Sequence, residues 1–106
     1  MAYMYSVTCL DHPDSEALRM KNRPVHLDYV RAQADKVALA GPVTSEDGAT
    51  MIGTLLILNV ESAAAAQDFV THDPYHKAGL FADIRIHRFN HLLGGLKDPN
   101  KAEPNS

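Results

Sequence analysis

Six histidines are spread along this 106-residue chain, and one of them, His26, pairs most informatively with a distant acid, Asp73. Around a helix at about 100° per residue, Leu27, Val30, Ala34, Val37 and Ala38 form one apolar stripe. His26 falls at the edge of that stripe. If Asp73 continued the alanine-rich stretch before it, it would share the face of Ala66 and Phe69. A carboxylate on an apolar face is costly unless it is paired. Both helices would cover the same sheet face, so the two side chains could approach each other. An imidazole oriented by a carboxylate is a general base or acid near neutral pH. The plain readings stand beside this one. Asp73, then Pro74, then Gly79 is an ordinary helix-capping pattern, and His26 is also read as a half-buried, hydrogen-bonded helix residue. Cap and site are compatible, because a carboxylate has two oxygens.

Other side chains could support chemistry there. Arg19 and Arg23 are four apart and could hold a carboxylate or phenolate. They could equally be solvated, or paired with Asp14 or Glu16. His72, Asp73 and His76 suggest a metal cluster, with His12, His87 and His91 as extras, but Pro74 interrupts the helical step from His72 to His76. Zinc needs three or four convergent ligands, so we expect no metal. Cys9 lies inside a strand without a neighbouring base and reads as core. Ser6 and Thr8, on the strand face away from Tyr5 and Val7, could line a cavity between sheets. Glycine-rich phosphate loops, cysteine-pair zinc motifs and nucleophile elbows are missing.

These residues must be positioned by a small set of elements. Tyr3–Leu10 alternates as a first strand, with Tyr5, Val7 and Cys9 on one face and Met4, Ser6, Thr8 and Leu10 on the other. Ser15–Met20 begins a helix. Pro24 suits the first position of a new helix, so we expect a kink at Arg23-Pro24 and a second helical stretch to about Lys36. Val37–Val43 is a short strand stopped by Gly41-Pro42. Asp47-Gly48 marks a hairpin turn. Met51–Val60 is apolar enough for a buried central strand, and Ala63–Thr71 is a helix with Ala66, Phe69 and Val70 inward. His72–Gly79 is a turn or a single helical turn. Phe81–Phe89 is expected as the last strand, with an extension to Leu93 left open, and Gly94–Ser106 is expected as a flexible C-terminal tail. The order β-α-β-β-α-β is a split βαβ, an α+β fold with two helices on one face of a four-stranded antiparallel sheet. The bare face calls for another surface, and a homodimer that stacks two sheets is the simple answer.

Length allows one domain, expected over residues 1–93, which at this size can bury about 65% of its unfolded surface. Ten bases against thirteen acids give −3, so a phosphate-binding footprint is missing and nucleic acid is not an expected partner. One cysteine forbids an intrachain disulfide and suits a reducing cytoplasm. No apolar run approaches the ~20 residues of a membrane helix.

Three segments together resemble the YciI-like (YCII-related) proteins: Arg23-Pro24-Val25-His26-Leu27 preceded by Arg19, then Leu39-Ala40-Gly41-Pro42, then Ala64-Ala65-Ala66-Gln67 leading to Asp73-Pro74-Tyr75-His76-Lys77-Ala78-Gly79-Leu80-Phe81. The likeness runs from about Met4 to Phe89. It implies a ferredoxin-like fold that dimerises as an α/β barrel, as in muconolactone isomerases, and a His–Asp active site at His26 and Asp73. One branch of that family dehydrochlorinates a chlorinated hydroxyhydroquinone.

The resulting expectation is a small cofactor-free enzyme of lyase, dehydrochlorinase or isomerase type, acting on a small cyclic or aromatic metabolite. His26 is the acid/base and Asp73 its orienter. Arg19 or Arg23 holds an anionic group; Ser6, Gly41, Pro42, Tyr75 and Phe81 shape the pocket. The competing expectation is a binding or accessory protein on the same scaffold, which holds a metabolite or a partner chain without turning it over.

Overall fold

The computed structural model describes residues 1–96. Its elements are β1 (Tyr3–Asp11), α1 (Glu16–Ala32), a 3-10 turn (Ala34–Lys36), β2 (Val37–Thr44), β3 (Met51–Val60), α2 (Ala63–Thr71), α3 (Pro74–Lys77) and β4 (Phe81–Phe89). The four strands form one sheet in the order β2-β3-β1-β4, with every neighbouring pair antiparallel. This is the ferredoxin-like α+β arrangement. Residues 90–96 carry no regular structure. The expected tail begins at Gly94, and its residues 97–106 lie outside the described residues.

Alternation decides what each strand residue meets. Tyr5, Val7 and Cys9 of β1 stand opposite Leu58, Leu56 and Thr54 of β3, and all six are buried. Ala66, Phe69 and Val70 of α2 close over them. Burying a leucine or valine side chain of this kind contributes about 1.5–3 kcal/mol. Gly53 is required where β3 passes β1: a Cβ there would lie 2.4 Å from the Cys9 carbonyl oxygen.

Two local expectations are corrected. Pro24 does not divide α1, which runs unbroken from Glu16 to Ala32. The proline removes one backbone donor, and the carbonyl it frees belongs to Met20, a half-exposed residue where water can bond it. The helix ends instead at Gln33, and the tighter turn Ala34–Lys36 replaces its expected continuation. Gly41-Pro42 does not stop β2 either; the strand continues to Thr44, with Pro42 opposite Thr54. Because β2 is an edge strand, a missing N–H on its outer side costs no ladder bond.

The sheet face away from the helices is half-covered. It holds a groove of about 530 Å³ lined by Met4, Leu39, Leu55, Ile57 and Phe89, with Leu93 and Leu96 at the rim. Leu55 and Phe89 are 38% and 40% exposed, and Leu93 and Leu96 are 91% and 80% exposed. Among the described residues, no helix is long and apolar enough to cross a membrane.

Candidate active site

The chain's polar buried residues gather where α1 and α3 meet. Arg19, His26, Thr54 and Asp73 are the buried polar or charged side chains of the described residues. Arg19 and His26 are seven apart on α1, which places them on one face about 10.5 Å apart along the axis. Asp73 is the N-cap of α3, and its Oδ1 accepts a hydrogen bond from the Tyr75 backbone N–H at 2.9 Å. The same carboxylate receives His26: Nδ1 lies 2.8 Å from Oδ1 and 3.0 Å from Oδ2. Capping and orienting therefore coexist in one residue. A carboxylate only accepts, so Nδ1 must carry the hydrogen. That leaves Nε2 as the nitrogen with a free lone pair in the neutral ring.

Nε2 has no protein partner among the described residues, and no fully buried side-chain nitrogen or oxygen is left unpaired among them. Nε2 therefore reaches solvent, and it does so in a cleft of about 140 Å³. Arg19, Arg23, Thr54, Tyr75, Gly41 and Pro42 line that cleft with His26. A cavity of roughly 150 Å³ is enough to take a benzene ring.

A second network braces the site. Arg19 Nε and Nη2 donate to Asp11 Oδ2 at 2.7 Å and Oδ1 at 3.1 Å, and Nη2 also donates to Thr54 Oγ1 at 2.7 Å. Burial works against the Arg19 charge, but the hydrogen bonds and charge of Asp11 outweigh it and hold the guanidinium above its ordinary range. The Tyr75 ring lies between the two α1 residues. His26 stacks on it at 3.9 Å between centroids and 14° between planes, and the Arg19 Cζ is 4.5 Å from the ring centre.

The expected site residues do not all assemble. His26, Arg19, Arg23, Tyr75, Gly41 and Pro42 do line one cleft, and Asp73 holds His26 from behind. Arg19 is committed mainly to Asp11, not to Asp14 or Glu16, which leaves the exposed Arg23 as the freer cation. Ser6 does not reach the cleft. It sits on the opposite sheet face and donates to the His87 carbonyl at 3.4 Å, because alternation turns it away from Tyr5 and Val7. Phe81 also stays outside; it meets the edge of the Tyr75 ring at 6.0 Å and packs into the core. Asp11 and Thr54 escaped the sequence reading. Only the period-two pattern of β1 and β3 could have found them, since both continue the helix-facing sets.

Cys9 is buried, and that burial first, then the charges of Asp73 and Asp11, pushes its thiol up to about 12. It is a core residue. Among the described residues, no three His, Cys, Asp or Glu side chains converge to hold a metal ion. His72 is exposed and its Nδ1 donates to the Asp68 carbonyl.

Residues 1–90 match the YCII-related domain. The chain belongs to the YCII-related domain family. Within that family it is 31% identical to protein YciI of Escherichia coli, over 85% of this chain and 99% of that protein. It is similar in structure to 5-chloro-2-hydroxyhydroquinone dehydrochlorinase from Burkholderia phenoliruptrix, solved in complex with 2,5-dihydroxybenzoquinone, with a TM-score of 0.76 and 34% identity over 83% of this chain and 94% of that one. PA3566 of Pseudomonas aeruginosa shares the fold at 11% identity, with a TM-score of 0.52 over 87% of this chain and 95% of that one. As a YCII-related protein the chain thus has a dehydrochlorinase among its structural neighbours.

Proposed function

We propose that this YCII-related protein is a small-molecule enzyme that moves protons on a hydroxylated ring without a cofactor. The observation that carries the reading is the asymmetry of His26: Nδ1 is held by both oxygens of buried Asp73, while Nε2 opens into a ring-sized cleft. Positioned general bases of this kind contribute about 10²–10⁴ in rate. Nε2 takes a proton from a ring hydroxyl, a carbonyl forms, and the electron pair passes into the ring. The imidazolium, stabilised by Asp73, returns that proton to a ring carbon, which completes an isomerisation. On a chlorinated ring, loss of a second hydroxyl proton expels chloride, so the net change is loss of HCl and needs no oxidant. Arg23, exposed at the cleft mouth, holds an anionic oxygen. Gly41 and Pro42 form the wall opposite α1.

The neighbour's substrate and ligand, both small oxygenated rings, support a dehydrochlorination or a related lyase or isomerase step. The same reading seats a second copy of the chain on the half-covered sheet face, where one symmetric interface would cover both the groove and the leucines at its rim. It also places the protein in a reducing cytoplasm, in keeping with its single buried cysteine.

The experiment uses the full chain with 5-chloro-2-hydroxyhydroquinone, following chloride release, alongside a folded His26→Ala variant. The reading expects turnover by the wild type and a loss of at least ~100-fold in the variant. Full turnover by His26→Ala would remove the proposed mechanism. Tight binding of 2,5-dihydroxybenzoquinone with no turnover of any related ring would favour the binding-protein reading instead.

A further inference from the structure

We infer that Tyr75 is a second catalytic residue, whose hydroxyl donates a hydrogen bond to the oxyanion that forms on the substrate when His26 removes its proton. This rests on the His26 reading above and names the other half of the same site.

The geometry leaves the hydroxyl little else to do. Tyr75 is 1% exposed. One ring face is covered by His26, stacked at 3.9 Å. The Arg19 Cζ, 4.5 Å from the ring centre, must cover the other face, because two flat groups so close to one centroid cannot share a side. Phe81 closes an edge at 6.0 Å. A buried tyrosine hydroxyl ordinarily finds a hydrogen-bond partner. Arg19 approaches the Tyr75 hydroxyl and, as a guanidinium, can only donate to it, so the O–H hydrogen is left without an acceptor among the described residues. Tyr75 lines the cleft together with His26, Arg19 and Arg23, and a substrate oxygen there is the acceptor that remains.

Electrostatics suits a donor rather than an acceptor. Burial holds the phenol above its ordinary range, more than the charges of Arg19 and Arg23 pull it down, so it keeps its proton at neutral pH. The Arg23 guanidinium, which has no ion pair among the described residues, then favours negative charge on whatever oxygen the hydroxyl bonds. The arrangement is also rigid. The Tyr75 N–H holds Asp73 Oδ1, and Asp73 holds His26, so base and donor are fixed to one helical turn. Donors fixed in advance where charge develops are typically worth about 10²–10³ in kcat. The substrate class that fits is a flat hydroxylated ring: the oxygen that loses its proton to Nε2 carries the developing charge and accepts the hydrogen bond from Tyr75.

A ring that serves only as a shelf for the imidazole would tolerate loss of the hydroxyl. Tyr75→Phe keeps the shelf and deletes the donor. With 5-chloro-2-hydroxyhydroquinone the expected result is a fall in kcat of about 100-fold with KM changed no more than a few-fold. A Tyr75→Phe kcat within threefold of wild type overturns the proposal. Binding of 2,5-dihydroxybenzoquinone, whose ionised oxygens stand in for the oxyanion, separates this failure from failure of the base assignment. Measured by titration in the His26→Ala background, Tyr75→Phe should weaken binding by about tenfold or more. Equal affinity with and without the hydroxyl, or no binding of this probe to the wild-type chain, also overturns it.

Discussion

His26 and Asp73, 47 residues apart in the chain, meet with Nδ1 2.8 Å from one carboxylate oxygen and 3.0 Å from the other. The near-equal distances mean that the imidazole faces the carboxylate squarely, while Oδ1 also anchors the start of α3 through the Tyr75 N–H. One side chain thereby ties the base to the segment that builds the cleft wall.

Asp73→Asn tests orientation apart from capping. Asparagine is as good an N-cap as aspartate, so the first turn of α3 survives. An amide can offer its N–H to Nδ1, which would move the ring hydrogen to Nε2 and occupy the proposed base. We expect the fold retained by circular dichroism and kcat lowered by about 10²–10⁴. Wild-type kcat in this variant would exclude the orienting role.

Arg19 and Arg23 should separate cleanly. Arg19 is buried with its partner Asp11, so Arg19→Met leaves a buried carboxylate unpaired and should cost about 3–5 kcal/mol. In a domain of this size that lowers Tm by more than 10 °C, at about 4–8 °C per kcal/mol. Arg23 makes no ion pair among the described residues, and Arg23→Gln should leave Tm nearly unchanged while raising KM. Thermal melts and steady-state kinetics on the two variants decide this, and a reversed pattern would contradict the assignment.

Alkaline pH should unfold the protein through one buried and one half-buried acid. Burial first, then nearby carboxylates, raises the Cys9 thiol from 9.0 to about 12 and the Tyr29 hydroxyl from 10.0 to about 12. Both are held protonated in the folded state; the Tyr29 hydroxyl donates to the Phe69 carbonyl at 2.7 Å. The unfolded chain releases these protons first, so their contribution to stability is complete below pH 9 and is lost as pH rises towards 12. Tm measured against pH should fall across that window, and less steeply in Tyr29→Phe. Cys9 should resist alkylation at pH 8 until the chain unfolds.

Gly53→Ala probes the tight passage of β3 past β1. The new methyl would sit 2.4 Å from the Cys9 carbonyl oxygen, a backbone atom that cannot rotate away. We expect a loss of about 1–3 kcal/mol, as for other overpacked cores, seen as a lower denaturant midpoint. Gly41→Ala, with open space around the same position, should be nearly silent in stability.

Local pattern carried the architecture far. Period-two alternation in β1 and β4, the apolar run of β3 and the Ala66/Phe69/Val70 face of α2 depend on near neighbours, so they are written residue by residue. The sequence also marked His26 and Asp73 as polar groups in apolar company. It misjudged Pro24 and Gly41-Pro42, because whether a missing N–H matters depends on what lies outside it: water near Met20, or the free edge of β2. Only the tertiary structure decided that α1 presents Arg19 and His26 to the two faces of the Tyr75 ring, that Asp11 and not Asp14 or Glu16 holds Arg19, and that Ser6 faces away from the cleft. Those are contacts across the sheet and between helices. Their distances follow from strand order and helix packing, which no spacing along a single element contains.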